Sequence, residues 1–461
     1  MAREYQAVLA TGALVVLVSA CAASSNRAQE APWVPRGKPQ RSGNERERVL
    51  TAEASLPVDA SLESILAVAL ARNPELLAAE ARVEESLARV PIASRLPDLE
   101  LKQEIWAVPL SRPWDITEAG MIMLGVRQAF PPRGSREAQA RAAREEVEIA
   151  RSSLQGLKLD VIARAKRSYF EYAAAHGEAA IHLEHAGITE KILELTRVYF
   201  RTGKVSEQDV LRVGVALVAL HKELANIEQR RLTSIARLNT LMGRTPGAVL
   251  GPPAEPNPMV LGTQVDELIA RAKTERPEIA AARHAVNRSE AERQATDRTT
   301  LWPTIMVGAD YWLQPTMEPT HAYAAMVSIN LPWLNPKRRE EAEAARRAVV
   351  AERRMLEALD NSISGEVAAA HARYEGALKT HRIVTEDLLP AARKSFDAAQ
   401  AGFVGGQVQS LALLDALSAL LEVRLSEVRA RLDLLVALVE LRRAVGDEME
   451  KNATTSHEVT Q

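Results

Sequence analysis

The sequence predicts a mainly α-helical protein with a smaller β portion of membrane-strand length, built from one strand–strand–long-helix unit used twice. Three observations predict it. The same words recur far apart: "ARNPELLAAEARV" (Ala71 to Val83) returns as "TERPEIAAARHAV" (Thr274 to Val286), an offset of 277 − 74 = 203 residues. Four segments alternate apolar and polar residues over about ten positions, enough for a transmembrane β-strand. A proline-free stretch from Gly134 to Phe200 repeats apolar residues at helical spacing.

Composition agrees with this class. The 461 residues suffice for two or three ordinary domains, and 47% hydrophobic content is ample for a core. Aromatics are only 4% while Ala, Leu, Arg and Glu dominate, as in long helices and coiled coils. A formal charge of −2 gives no reason to expect a nucleic-acid partner. A single cysteine excludes an intrachain disulfide.

The chain opens on an apolar stretch, Ala7 to Val18, followed by Val18-Ser19-Ala20-Cys21. That stretch is too short to span a bilayer as a helix and fits a signal-peptide core, so residues 1–20 are read as a signal peptide. Small residues before Cys21 look like a bacterial lipobox, which makes Cys21 the expected lipidation site; ordinary cleavage after Ala20 suits the same residues. Ala22 rather than Asp then favours sorting to the outer membrane. Residues 21–60 are expected to form an extended segment behind this anchor.

The offset persists well beyond the opening words. "FRTGKVSEQDVL" (Phe200 to Leu211) is matched by "FVGGQVQSLALL" (Phe403 to Leu414), Gly243 by Gly446, and Arg136-Glu137 by Arg339-Glu340. Chance does not hold one register across separate anchors, so the chain is a tandem duplication with a unit too long for a short-repeat solenoid. The first repeat is placed at 61–251 and the second at 265–446. Between them lies a linker, 252–264, opening on "PPAEPNP"; a polar tail, 447–461, closes the chain.

Within each unit the elements follow in order. Ser61 caps a helix to Arg72, and Asn73-Pro74 restarts it, Asn as cap and Pro at the first helical position; Arg276-Pro277 is read the same way. The recurring motif is therefore helix punctuation. Next come "DLELKQEIW", with Leu99, Leu101 and Ile105 on one face, and "MIMLGVRQAF", with Ile122, Leu124 and Val126. The second unit has "TIMVGADYWL", with Ile305, Val307, Ala309 and Tyr311 opposed to Gly308 and Asp310. It also has "AAMVSINLPW", with Val327, Ile329 and Leu331 opposed to Ser328 and Asn330.

A long helix then runs from Gly134 to Phe200, roughly 100 Å at 1.5 Å per residue. A break at Arg201 to Ser206 leads into a return helix, Glu207 to Met242, whose Leu217, Leu220, Leu224, Ile227, Ile235 and Leu238 form a coiled-coil-like seam. The second unit turns at Val404 to Gln409, and Gly156, Gly177 and Gly365 are weak points where the helices are expected to bend. Four strands leave two open edges, which lipid does not tolerate, so the chain must share a barrel. Two copies give eight strands and three give twelve.

At this point the sequence resembles the TolC-type outer-membrane efflux proteins over about residues 61–446. The resemblance rests on "SLESILAVALARNPELLAAEARV", on "RQAFPPRGSRE", and on the two helix–loop–helix segments with Gly203 and Gly406. It implies a homotrimer in the bacterial outer membrane, its twelve-stranded β-barrel continuous with a helical barrel extending into the periplasm. It further implies a periplasmic adaptor and an inner-membrane pump as partners. Thr202, Gly203, Lys204, Val205 and Ser206, with Gly405, Gly406, Gln407 and Val408, look like the tip that meets the adaptor; plain turn glycines fit as well. Asp415 lies where the family carries a pore-lining carboxylate, with Asp209 at the corresponding place in the first unit, while Ala412 replaces a second acid of some members. A solvated aspartate at a helix start is the alternative for both.

Enzyme motifs are lacking: there is no phosphate-cradling Gly-Lys-Ser/Thr loop, nucleophile elbow or zinc-protease helix. No cofactor is expected. His182 and His185, near Glu178 and Glu184, are read as polar residues of a helix surface rather than metal ligands. The expected function is a passive outer-membrane channel for drugs or heavy-metal cations. The alternatives are a type I polypeptide-secretion duct and a non-channel coiled-coil tether.

Overall fold

The computed structural model describes residues 43–113, 119–256, 262, 264–314, 320–405, 407–408 and 410–447. The signal peptide, Cys21, residues 22–42, Gly406 and the tail beyond Asp447 lie outside them. The chain divides into two units, Met1–Arg46 and Glu47–Gln461, and the second carries both repeats.

The start of each repeat follows from its caps. Helix α1 (Gly43–Ser55) precedes α2 (Leu62–Arg72), where Ser61 accepts from the Ser64 amide as the sequence predicts. Asn73 accepts from the amides of Glu75 and Leu76 to start α3 (Pro74–Ser94). After the sheet strands β1 (Glu100–Trp106) and β2 (Met121–Phe130) comes the 67-residue α4 (Ser135–Arg201), then its return helix α5 (Glu207–Leu241).

The second repeat gives α6 (Val265–Glu275), α7 (Pro277–Leu301), β3 (Ile305–Gln314) and β4 (Thr320–Ile329). Helix α8 (Pro336–Arg382) continues through a π-helical stretch, Ile383–Leu388, into α9 (Leu389–Val404), and α10 (Ser410–Val445) returns. Four local expectations change. Gly43–Ser55, within the stretch expected to be extended, forms helix α1, since its Glu, Arg, Leu and Ala are good helix formers. Arg276 sits at the cap of α7 with no side-chain cap bond, because a guanidinium has no acceptor; it donates instead to Glu278 and Glu366. Helix α4 runs unbroken through Gly156 and Gly177, as does α8 through Gly365; the irregular stretch precedes Pro390, whose missing N–H removes an i→i−4 bond. Strand β4 begins at Thr320 and stops before Asn330, since Pro332 ends the ladder.

Away from the turns, where a third lies, two apolar clusters hold the helices. In the first repeat Leu56, Ile65 and Val68 pack on Val161, Tyr169 and Tyr172 of α4 and Leu238 of α5. Tyr169 and Tyr172 also donate to the carbonyls of Ala254 and Gly251, fastening the inter-repeat linker. In the second, Leu268 and Ala272 of α6 pack on Ile363, Val367 and Tyr374 of α8 and on Leu434 and Leu438 of α10.

The return helices end on matched glycines. Gly243 has φ +65° and Gly446 φ +86°, and a Cβ would meet the Arg72 carbonyl oxygen at 2.8 Å in one case and Arg276 Cγ at 2.9 Å in the other. Only glycine fits both the backbone and the space.

Candidate functional site

The sheet is antiparallel in the order β1-β2-β3-β4, so its central pairing, β2 with β3, joins the two repeats and leaves β1 and β4 as edges. Its faces are the reverse of a soluble sheet. Leu101, Leu124, Val126, Ile305, Val307, Val327 and Ile329 are all exposed, and Tyr323 is 82% exposed. The opposite face holds Met123, at 2% exposure, and Asp310, at 7%. Arg127 reaches Asp310 at 3.8 Å, and Lys102 pairs with Glu104 on the same side. Gly125 lies opposite Asp310 in register, and a Cβ there would collide with the carboxylate. An apolar face turned outward over an inner face that carries ion pairs suits a strand between lipid and a polar lumen. Among the described residues no helix is long and apolar enough to cross a membrane.

At the other end of the long helices lie the two turns. Lys204 donates to the Tyr199 carbonyl at 2.8 Å and Gly203 to Phe200 at 3.0 Å, with Gly203 at φ +71° ending α4. Lys204 also stands over the Tyr199 ring, 5.5 Å from its centre. Thr202, Gly203, Lys204 and Ser206 are exposed and Val205 is half-buried. In the second turn Gln407 and Val408 donate to the Gly402 carbonyl at 2.8 and 3.1 Å, and Gly405 stays right-handed at φ −74°. Of the described glycines in this turn, the one that permits close approach is Gly402, packed against Val408, rather than Gly405.

The turns are bound together by Phe403, edge-on to Tyr199 with ring centres 5.9 Å apart and surrounded by Ile192, Leu193, Val213, Leu413 and Leu417. Nothing in the sequence reveals this contact, because the duplication does not say which faces meet.

Asp209 completes a capping box: its carboxylate accepts from the Ser206 amide at 2.9 Å and hydroxyl at 2.8 Å, and its own amide donates to the Ser206 oxygen. Those hydrogen bonds from Ser206 hold its carboxyl below the usual range. At the 203-residue offset it matches Ala412 rather than Asp415 (412 − 209). Asp415 is exposed on α10, one turn beyond the exposed Ala412.

His182 and His185 are not on a helix surface. Both are buried, as is Glu178, because α4 is flanked here by α5 and α10. Glu178 pairs with Arg230 at 2.6 Å and Arg429 at 3.6 Å, and Glu184 with Arg424 at 2.7 Å. Nearer the start of α4, Asp160 and Glu278 both take Arg443, at 2.6 and 2.5 Å, tying first repeat to second. Glu278 is the counterpart of Glu75, which pairs with Arg164 at 2.6 Å. The recurring Pro-Glu thus starts a helix and anchors it to a neighbouring one.

These features define a class of protein, a membrane channel subunit whose β-sheet faces lipid and whose long helices end in paired turns. The outer membrane efflux protein family matches residues 65–244 and again 268–447, both edges repeating at 203 residues (268 − 65 and 447 − 244). The chain is 24% identical over 386 residues to the cobalt-zinc-cadmium resistance protein CzcC of Cupriavidus metallidurans, covering 82% of this chain and 87% of that one. The solved structure of CusC has a TM-score of 0.72 at 17% identity, covering 86% of this chain and 94% of that chain. The outer membrane protein VceC of Vibrio cholerae has 0.69 at 18%, with 84% and 96% covered.

The chain belongs to the outer membrane efflux protein family. It has the fold of the trimeric channels of that family, mainly α with a membrane β-barrel portion. Its place is the outer membrane, extending into the periplasm, as the outer-membrane component of a tripartite efflux pump.

Proposed function

We propose that three copies of this chain form a passive, non-catalytic conduit for divalent heavy-metal cations, delivered by an inner-membrane pump through a periplasmic adaptor. The observation that carries the conduit is the reversed sheet with two unpaired edges, which needs further copies to close a barrel. Three copies bring twelve strands. The cargo reading is supported by the cobalt-zinc-cadmium resistance named for the relative CzcC. The turn residues Thr202 to Ser206, with Gly405, Gln407 and Val408, are the adaptor-facing tip in this reading, all exposed except the half-buried Val205 and Val408. Three Asp415 carboxylates around one axis then attract cations at the entrance, while Asp209 caps α5. Cells lacking this chain should become sensitive to zinc, cobalt and cadmium and regain resistance on its return. Unchanged metal tolerance together with new sensitivity to drugs would assign the conduit to a drug pump instead.

A further inference from the structure

Between the two return helices, α4 carries a row of buried polar groups that conduction does not use. His185 is 1% exposed and has no hydrogen-bond partner at either ring nitrogen; His182 is 5% exposed and has none at Nδ1. Orphaned buried groups of this kind are rare in native proteins and call for a reason.

The charged groups around them are matched. From α4 come Glu178 and Glu184, from α5 Glu223 and Arg230, and from α10 Arg424 and Arg429. Arg230 bridges Glu178 and Glu223, Arg429 meets Glu178, and Arg424 meets Glu184. Three carboxylates thus face three guanidiniums while both imidazoles are neutral. A metal cation here would stand among the three arginines, and among the described residues no three His, Cys, Asp or Glu side chains are arranged to hold one. A proton on either imidazole unbalances the same set.

We propose that His182 and His185 form an acid-sensitive joint between the repeats: neutral, they let α10 of the second repeat pack on α4 of the first, and protonated, they open that contact in the periplasmic helices. Two effects favour the neutral form. Burial lowers the pKa of His182, and burial beside Arg424 lowers that of His185 to about 4. The opened joint returns the rings toward their ordinary value of about 6.5. Opening therefore takes up protons: the contact is fully stable above about pH 6.5 and weakens as pH falls toward 4. His185 makes opening up to about tenfold more frequent per pH unit in that window, and His182, lowered in the same direction, adds to it.

The joint needs no cargo to be observed, so it can stand if the conduit reading fails. Amide hydrogen exchange of the full chain in detergent, corrected for intrinsic exchange at each pH, follows opening in residues 178–189 and 424–432. From pH 6.5 to 5.0 opening should become at least about tenfold more frequent there, and remain unchanged around Ile363 to Tyr374. The double variant His182→Gln/His185→Gln should lose that dependence. Should the double variant not assemble, His185→Gln alone must flatten the slope by about one proton. A flat wild-type profile, or an equal slope in the variants, overturns the joint.

Discussion

Asn73 serves two helices and a third partner at once. Its backbone N–H closes α2 on Ala69, its Oδ1 receives the first amides of α3, and its Nδ2 donates to the Leu241 carbonyl at the end of α5. At 2% exposure it is sealed from water, so removal leaves several groups without partners. Asn73→Ala should cost about 1–3 kcal/mol, read as a lowered urea midpoint with unchanged m-value. A change within error would show that water replaces the cap. The role is legible in Asn-Pro, a capping side chain before a residue with a preset φ. At Arg276-Pro277 only the proline is legible, because arginine has no acceptor and its long side chain goes to Glu278 and Glu366. The burial of the two histidines is hidden for a related reason: periodicity marks a helix face, but not which faces a third helix covers.

At the scale of the sheet, alternation is readable and its sense is not. A strand with apolar residues on one face reads alike whether that face meets a core or lipid. What decides is the rest of the molecule: Asp310 with Arg127 fills the inner face, and Val327 stands 66% exposed on the outer. Val327→Arg should therefore cost about 2–4 kcal/mol if the residue sits at mid-bilayer, and Ser328→Arg, one position on and facing inward, much less. Folding yield into lipid vesicles would show it. Equal loss for both would mean that the two faces share one environment. The ends of β4 depart from the alternation pattern for a local reason: "THAY" carries a weak apolar pattern, yet pairs with Tyr311 to Gln314 through the backbone.

For the whole molecule, duplication is the most legible feature, because it is written in residue order rather than in contacts. Gly243 with Gly446 and Glu75 with Glu278 keep their roles across the offset. The meeting of the two repeats is not legible. It depends on Tyr199 against Phe403, Asp160 with Arg443 and the β2–β3 ladder, all cross-repeat contacts between unlike residues. One chain still ends with two open strand edges, and an outer-membrane conduit requires those edges to close against other copies. The most direct test is to incorporate the purified protein, sized beforehand in detergent, into a planar bilayer and record its ionic current. A stable trimer with cation-preferring conductance, the preference lessened in Asp415→Ala, is the predicted result. A monodisperse monomer that carries no current would contradict it.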